Sequence, residues 1–544
     1  MRLTKVLFWL AQIVGVAATI GLLWKSDIPL GVPGAGEWTW DRIAYDAASL
    51  KELTFGWIVA GIATVVYLVV CLFADRRVLD ADRWEMTGWL AALVLVGTVW
   101  HGLAQECPPD PHRLSKAPWV VWYQSTQGYY HEARFVANDD PEYLAKYANR
   151  MKEGDVLHFG THPPGFIQWH QSIISYVGRS PKLQAWLLKY QPDSVRASLD
   201  VLAETSKDTK YALSDVDRAA LWLSALLAGL AAMSTVVPLF CLLRRTCGRE
   251  TAWRIVCFWP LIPALAVFHP VSDLYLPFLG TLFLATWGRA WSQRSWIFGL
   301  AAGIVMSVGM RLSLAMLPVA FLAATWTLAD CLFAESTESL ATRVKHLVIC
   351  VASALGSFFA LTFLAQWQSS LDLPAVWLQN FRNHAAFYDK YPRSTTSWML
   401  VNPIELAFAV GTPIFVMAVS TWLSCTHGCL KSGRSLASFR LWCLITLLVL
   451  WLSGKNSGEI ARLWIFLLPW LLWVAGREQQ VTAKIVIGPG QTLPEYAGSP
   501  SKGWAALLIL QAIVCIATVS RVDGFKFNST VPIPKAASTI DAQN

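Results

Sequence analysis

Charge is scarce in this chain of 544 residues: Asp, Glu, Lys and Arg together make up 15%, against 55% hydrophobic residues and a mean hydropathy of +0.43. In a soluble domain of ordinary composition about a quarter of the residues are charged, so that class is excluded. Cysteine offers no scaffold either. Of 11 cysteines nearly all fall in or beside apolar runs, and the long polar interval of the chain holds Cys107 alone, which argues against a disulfide framework. Cys425, His427 and Cys429 stand close together without a second pair nearby, and three short-loop residues explain them better than a metal knuckle does. A repeat of fixed period and a low-complexity tract are both missing, which weighs against repeat-built transporters. The formal charge of +8 raises nucleic acid as a partner, yet the basic residues form short clusters between apolar runs. Orientation signals of membrane proteins are distributed in that way, so no nucleic-acid partner is expected.

What the chain has in quantity is apolar runs. The first, 7–24, follows Arg2 and Lys5 and is not followed by a small-residue cleavage site, so it reads as an uncleaved helix with a cytoplasmic N-terminus. Further runs at 55–73, 87–104, 219–243, 255–268, 274–287, 296–310, 312–329, 347–365, 403–423, 441–453, 463–474 and 504–519 bring the expected total to about 13. Alternating them places Arg76, Arg77 and Arg83, then Arg244 to Arg254, Arg289 and Arg294, Arg343 and Lys345, and Lys431 to Arg440 on the inner side. The expected class is an all-α polytopic membrane protein of the plasma or inner membrane. Its divisions are N-terminal transmembrane helices at 1–104, an extracytoplasmic loop domain at 105–217, a transmembrane bundle at 218–520 with an outer loop at 366–402, and a polar C-terminal tail at 521–544. In that tail Asn528-Ser529-Thr530 fits a glycosylation acceptor.

The same alternation puts the chemically interesting residues on the outer face. Within the long polar interval, Asp139-Asp140-Pro141-Glu142 opens a short amphipathic helix, and His162-Pro163-Pro164-Gly165 closes a loop that prolines stiffen and glycines turn. Asp139, Asp140 and Glu142 either supply a general base or cap their helix. Glu132, in Gly128-Tyr129-Tyr130-His131-Glu132-Ala133-Arg134, is the competing carboxylate, or part of a charged neighbourhood on a solvated loop. His162 either donates to a phosphate or sugar oxygen or satisfies loop carbonyls. His269 and Asp273 are a turn apart and make an orienting pair or a helix cap. Arg311 interrupts an apolar stretch long enough for two spans, so it either snorkels at a tight turn or serves as a cation for a lipid phosphate. Glu459 and Arg462 pair with each other, or Glu459 holds Arg462 toward that phosphate. In the 380–398 loop, Arg382, His384, Tyr388, Arg393 and Trp398 suit a sugar-binding surface and suit an interfacial aromatic belt almost as well.

The run Asp140-Pro141-Glu142-Tyr143-Leu144-Ala145-Lys146-Tyr147-Ala148, followed by Met151, Gly154-Asp155 and His162-Pro163-Pro164-Gly165, resembles the first large outer loop of GT-C membrane glycosyltransferases. The likeness is to the protein O-mannosyltransferase and aminoarabinose-transferase-like branch, and it covers about 30 residues. This sequence inserts Pro141 into the acidic motif and places two further spans before the loop, which leaves Asp27, Glu37 and Asp41 of the earlier loop as additional outer carboxylates. The resemblance implies a sugar donor on a polyprenyl phosphate, an extracytoplasmic acceptor (glycolipid, glycan or protein) and inverting displacement at the anomeric carbon. Asp140, then Asp139 and Glu132, would act as base. Arg311, Arg462 and His162 would face the lipid phosphate, and Glu459, His269, Asp273, His384 and Tyr388 would complete substrate binding. The sequence specifies no cofactor and is compatible with a divalent metal. The rival from another class is a polytopic transporter or a lipid or glycan flippase.

Overall fold

The computed structural model describes residues 2–153, 159–333, 338–429, 439–484 and 502–525. The Gly154-Asp155 turn, Lys431 and Arg434, the linker residues 485–501 and the tail with its Asn528 triplet lie outside the described residues, as do the side chains of Cys425, His427 and Cys429.

The chain opens with α1 (Arg2–Lys25), α2 (Ala47–Asp75) and α3 (Arg83–Gln105). Asp46 starts α2 through a capping box with Ser49, and Asp82 starts α3 by accepting the Trp84 and Glu85 amides. The polar interval folds into α4 (Lys116–Trp122), α5 (Tyr129–Glu132), which continues as a π-turn, α6 (Tyr143–Arg150), α7 (Gly165–Gly178), α8 (Pro181–Lys189) and α9 (Asp193–Ser206). The second apolar set runs through α10 (Asp215–Ser234), α11 (Val236–Thr246), α12 (Arg249–Val256), α13 (Pro263–Val267), α14 (Leu276–Gln293), α15 (Trp296–Leu312), α16 (Met316–Phe333) and α17 (Leu340–Ser369). After α18 (Leu373–Lys390) come α19 (Thr395–Val410), α20 (Thr412–Cys429), α21 (Phe439–Leu452), α22 (Ile460–Leu463), α23 (Leu468–Lys484) and α24 (Lys502–Val519).

Each of the thirteen expected runs falls on helical backbone, but eight helical stretches among the described residues are long and apolar enough to cross a membrane by themselves. The difference has physical causes. The run at 403–423 is broken where α19 and α20 meet at 117°, three other apolar helices (Trp296–Leu312, Phe439–Leu452 and Ile465–Gly476) are shorter than a span needs, and α14, which carries the run at 274–287, ends in the polar 289–293 turn and is not apolar enough over its 18 residues. Gly411 makes the break: its φ is +90°, and a Cβ there would lie 2.2 Å from the Gln511 amide, which donates to Val410 O and Leu261 O. Burial separates centre from periphery. In Arg249–Val267, 83% of the apolar window is buried inside the protein, whereas in Leu340–Ser369 only 11% is, so α17 turns Phe359, Phe363 and Trp367 outward.

The two ends of the bundle differ chemically. At one end Arg254 grips Asp75 with two hydrogen bonds, at 3.0 and 2.9 Å, and Arg249 donates to the carbonyls of Val78, Leu79 and Ala81. Arg245 to Ser292 and Arg294 to Glu338 lie at that end too. The opposite, loop end gathers the segments 26–46, 105–214, 370–394 and 453–462, and a three-stranded antiparallel sheet ties it to the end of the last helix. That sheet joins β1 (Leu30–Gly31), β2 (Thr39–Arg42) and β3 (Val522–Asp523), with Leu30 opposite Trp40 and Arg42 opposite Val522. The expectation of an all-helical chain missed it, because strands of two to four residues leave no alternating pattern to read. Nine cysteines among the described residues are free thiols, eight of them buried.

Candidate functional site at the loop end

The histidine loop is held from two sides. Pro163 and Pro164 have no N–H to hold it internally, so the surroundings supply donors to its carbonyls. The Tyr147 hydroxyl, on α6, is shared between Phe159 O at 3.0 Å and His162 O at 2.9 Å. From α18, Asn383 Nδ2 donates to Met151 O (2.7 Å) and Gly160 O (2.6 Å), and Asn380 Nδ2 donates to Thr161 O. Gln379 bonds Asn383 Oδ1 at 2.8 Å and fixes that amide's orientation. His162 itself packs edge-on to Tyr129 at 5.8 Å, with Nδ1 3.2 Å from the Thr161 hydroxyl. Below the loop, Gly165 sits directly on the end of α15. A Cβ at 165 would stand 2.3 Å from Arg311 O and 2.8 Å from Leu312 Cδ2. Gly165→Ala is therefore expected to destabilise the protein by about 1–3 kcal/mol, the usual range for an overpacked interior. Thermal unfolding of the purified protein checks this, with Gly61→Ala, which meets nothing within 4 Å, as the variant that leaves the midpoint unmoved.

The three proposed bases occupy different environments. Glu132 is buried and accepts from the Tyr143 hydroxyl (2.9 Å) and Arg150 Nη2 (2.6 Å), while Arg150 lies over the Tyr143 ring at 4.9 Å. It is no solvated loop residue. It latches α5 to α6, and burial followed by the Glu132 charge holds the Tyr143 hydroxyl's pKa well above its ordinary value. Asp139 is exposed. Asp140 takes the Glu142 amide at 2.9 Å on Oδ1 and has Lys146 Nζ at 4.0 Å, and about a third of its side chain stays open to solvent. Capping is thus one role of Asp140, and one that leaves it reachable.

Farther along, the 454–462 turn gathers charge. Glu459, in the left-handed region at φ +59°, bonds Arg393 Nη2 through Oε1 (3.0 Å) and Arg462 Nη2 through Oε2 (2.9 Å). Arg393 also donates to Ser457 O at 2.7 Å. The Tyr388 hydroxyl donates to Lys455 O and accepts from Ser457 N at 3.0 Å, so it props the turn. Among the described residues the buried Arg462 Nε–H has no acceptor. Asp273 lies in the field of Arg462 and Glu459; burial raises its pKa, Arg462 opposes and Glu459 adds to the rise. His384, on α18 one turn before Tyr388, lies in the field of His162 and Lys455. The residue is exposed, yet protein crowding, then those two charges, lower its pKa to about 4, so it is neutral near pH 7.

A line of polar residues therefore follows α18, which clamps the histidine loop through Asn380 and Asn383, carries His384 and meets the Arg393, Glu459 and Arg462 group through Tyr388, with Asp273 in the field of Arg462. His269 and Arg311 stand apart from this line. The His269 ring is buried, puts Nε2 3.0 Å from Ala225 O and packs on His101 at 5.6 Å, so the expected pairing with Asp273 does not form. The Arg311 guanidinium donates to Leu361 O on α17 and pins two apolar helices together. Sequence reasoning missed the Asn380 and Asn383 clamp, although two amides three residues apart on a helix are a legible signal. It also missed Glu405, and it named Glu37 only as an additional outer carboxylate. Glu37 accepts the Ser394 amide (2.6 Å) and the Trp398 indole (2.7 Å), and Glu405 accepts the Trp40 indole (2.7 Å) and the Ala461 amide (3.2 Å). These fasten the first loop to α19 and to the turn that carries Arg462. Among the described residues no three His, Cys, Asp or Glu side chains converge as a metal set.

No family model and no curated protein matches this sequence. Three solved structures of the Archaeoglobus fulgidus oligosaccharyltransferase are similar to it at 10–12% identity. One is a complex with Zn and sulfate (TM-score 0.41, covering 80% of this chain and 54% of that one). Another is tethered to an acceptor peptide containing the NVT sequon (TM-score 0.44, 81% and 56%), and the third, named AglB, is in complex with an inhibitory peptide and a dolichol-phosphate (TM-score 0.44, 81% and 57%). The chain spans about half the length of these structures. At such identity and TM-score no residue role and no activity is carried over from them.

Proposed function

We propose that this protein is an integral membrane glycosyltransferase of GT-C type. It would move a sugar from a polyprenyl-phosphate donor to an extracytoplasmic glycolipid, glycan or protein by inverting displacement. The observation that carries this reading is the loop-end line of anion-binding and hydrogen-bonding groups, in which α18 clamps the histidine loop through Asn380 and Asn383 and props the turn before Arg462 through Tyr388. The buried Arg462 Nε–H, without an acceptor among the described residues, is a donor that a phosphate oxygen would satisfy. The acceptor oxygen attacks the anomeric carbon as the bond from that carbon to the phosphate oxygen breaks. Arg462 takes up the charge of the departing lipid phosphate, and His162 and neutral His384 contribute hydrogen bonds. Asp140 removes the acceptor's proton, since Glu132 is committed to Tyr143 and Arg150; Asp139 is its exposed neighbour. The arginine-rich end is cytoplasmic with the N-terminus, and the loop end faces out.

One feature favours the transporter alternative: the 117° break between α19 and α20 is of the kind found in carriers. The polar residues of the candidate site, however, collect at the bundle's end and not midway along it. The test is transfer of labelled sugar from a lipid extract in membranes carrying wild type or Asp140→Asn. We expect transfer by wild type and a loss of about 10²- to 10⁴-fold in the variant with insertion unchanged, the range for a general base. Full activity in Asp140→Asn would remove Asp140 from this role, and Asp273→Asn would then be the next variant.

A further inference from the structure

We infer that Trp169 and Tyr275 form a stacking subsite for a pyranose ring at the loop end, an inference that rests on the transferase reading above and names where its sugar lies. A continuous aromatic wall leads away from the histidine loop. From His162 it passes to Tyr129 (5.8 Å), to Phe166 (5.4 Å, tilted 34°), to Tyr275 (5.8 Å) and to Trp169 (6.0 Å, 77°). Tyr129 and Phe166 are 3% and 2% exposed, so the middle of the wall is rigid backing, whereas Trp169 at its end is 36% exposed. Phe166 and Trp169 are three apart on α7 and share a face, and Tyr275 lies two residues beyond Asp273, the carboxylate beside Arg462. One end of the wall is thus the clamped histidine, and Tyr275, next to its other end, shares a 3₁₀ turn with Asp273.

The orientation of Trp169 identifies the occupant. Its indole N–H donates to the Tyr275 hydroxyl at 3.1 Å, which locks the ring perpendicular to Tyr275. A tryptophan of a membrane belt keeps its N–H toward the headgroups and water while its rings enter the apolar layer. Here the indole N–H is taken by a protein hydroxyl and not by headgroups, while Trp169 as a whole keeps 36% of its surface uncovered. A pyranose presents a patch of C–H groups polarised by the neighbouring oxygens, and such C–H groups pack on the electron-rich aromatic face while hydroxyls at the ring's rim take hydrogen bonds. The ring belongs either to the donor or to a glycan acceptor, and both present the same surface.

The test uses saturation-transfer NMR of the full chain in glycoside-free nanodiscs, with methyl hexopyranosides as probe and glycerol as the control ligand. Wild type is expected to saturate the pyranoside ring protons and not glycerol. Trp169→Ala should weaken pyranoside binding about 3- to 10-fold, as loss of one aromatic contact does, and Trp169→Phe, which keeps an aromatic face, should bind between the two. Equal saturation in wild type and Trp169→Ala would overturn the subsite, as would a Trp169→Phe no better than Trp169→Ala when both are folded. In transfer assays a raised KM for donor in Trp169→Phe assigns the ring to the donor, and a raised KM for acceptor assigns it to the acceptor, with kcat kept in either case. An unchanged KM for both would again overturn the subsite. Trp169-dependent pyranoside binding without any transfer would uphold the subsite and refute the transferase reading, so the two fail separately.

Discussion

Arg462→Ala is expected to lower sugar transfer about 10²- to 10³-fold, the usual cost of removing one preorganised donor from a developing anion. Three features of the site set this expectation. Glu459 holds one Nη of Arg462 at 2.9 Å, so the guanidinium is aimed before substrate arrives. Its buried Nε–H has no acceptor among the described residues, and roughly a quarter of the side chain remains accessible. Arginine also cannot shed its charge to relieve the burial. Arg462→Lys keeps the charge and loses the planar fork, and should fall between wild type and alanine, with the larger change in donor KM. By contrast, Arg311→Lys should transfer nearly as wild type, because the Arg311 guanidinium bonds a helix carbonyl of α17. Donor-concentration curves at matched protein amounts measure both, and an Arg462→Ala enzyme within threefold of wild type would remove the phosphate role from this residue.

The second large effect concerns stability. Asp217, fully buried at the start of α10, accepts Tyr130 Oη and Arg134 Nε at 2.9 Å on one oxygen and the Ser214 hydroxyl at 2.6 Å on the other. It thereby closes the capping box of α10 and ties the π-turn after α5 to that helix. Deleting a buried partner of an ion pair costs about 3–5 kcal/mol, and Arg134, a third exposed, is partly rescued by water, so Asp217→Ala should lie near about 3 kcal/mol. The Tyr130 hydroxyl, fully buried, would be left without its acceptor. Limited proteolysis of the 105–217 region and thermal unfolding should both register the loss. Lys146→Ala, which removes an exposed pair with Glu142, should change stability by less than about 1 kcal/mol. Equal stability of the two variants would show that the Asp217 staple does not hold the loop region in place.

Apolar runs and basic clusters were legible because the bilayer imposes a local, composition-level rule on each segment. The histidine loop was legible for a similar reason, since Pro163, Pro164 and Gly165 carry their conformational meaning in themselves. Long-range partners were not. Asn383 meets Gly160 across 223 positions and Glu37 meets Trp398 across 361, separations at which no periodicity or spacing signals contact. Of the two readings of Glu132, the one on a solvated loop fails, because the side chains it bonds lie 11 and 18 residues onward, on a helix whose packing the local charge pattern does not reveal. His269 and Asp273 were a turn apart in sequence, yet the histidine turns inward to Ala225 and the aspartate toward Arg462. Spacing alone sees only proximity along the chain.

The claim that this protein transfers sugar from a lipid phosphate is tested most directly by following both halves of one donor. Purified protein is reconstituted in vesicles with a polyprenyl-phosphate-linked sugar labelled in the sugar and separately in the phosphate, together with a cell-envelope acceptor extract. Sugar label appearing in acceptor together with an equal amount of free polyprenyl phosphate, both abolished by Arg462→Ala, is the predicted result. Donor that crosses the bilayer intact, with no free polyprenyl phosphate and no labelled acceptor, would contradict the account and establish the transporter in its place.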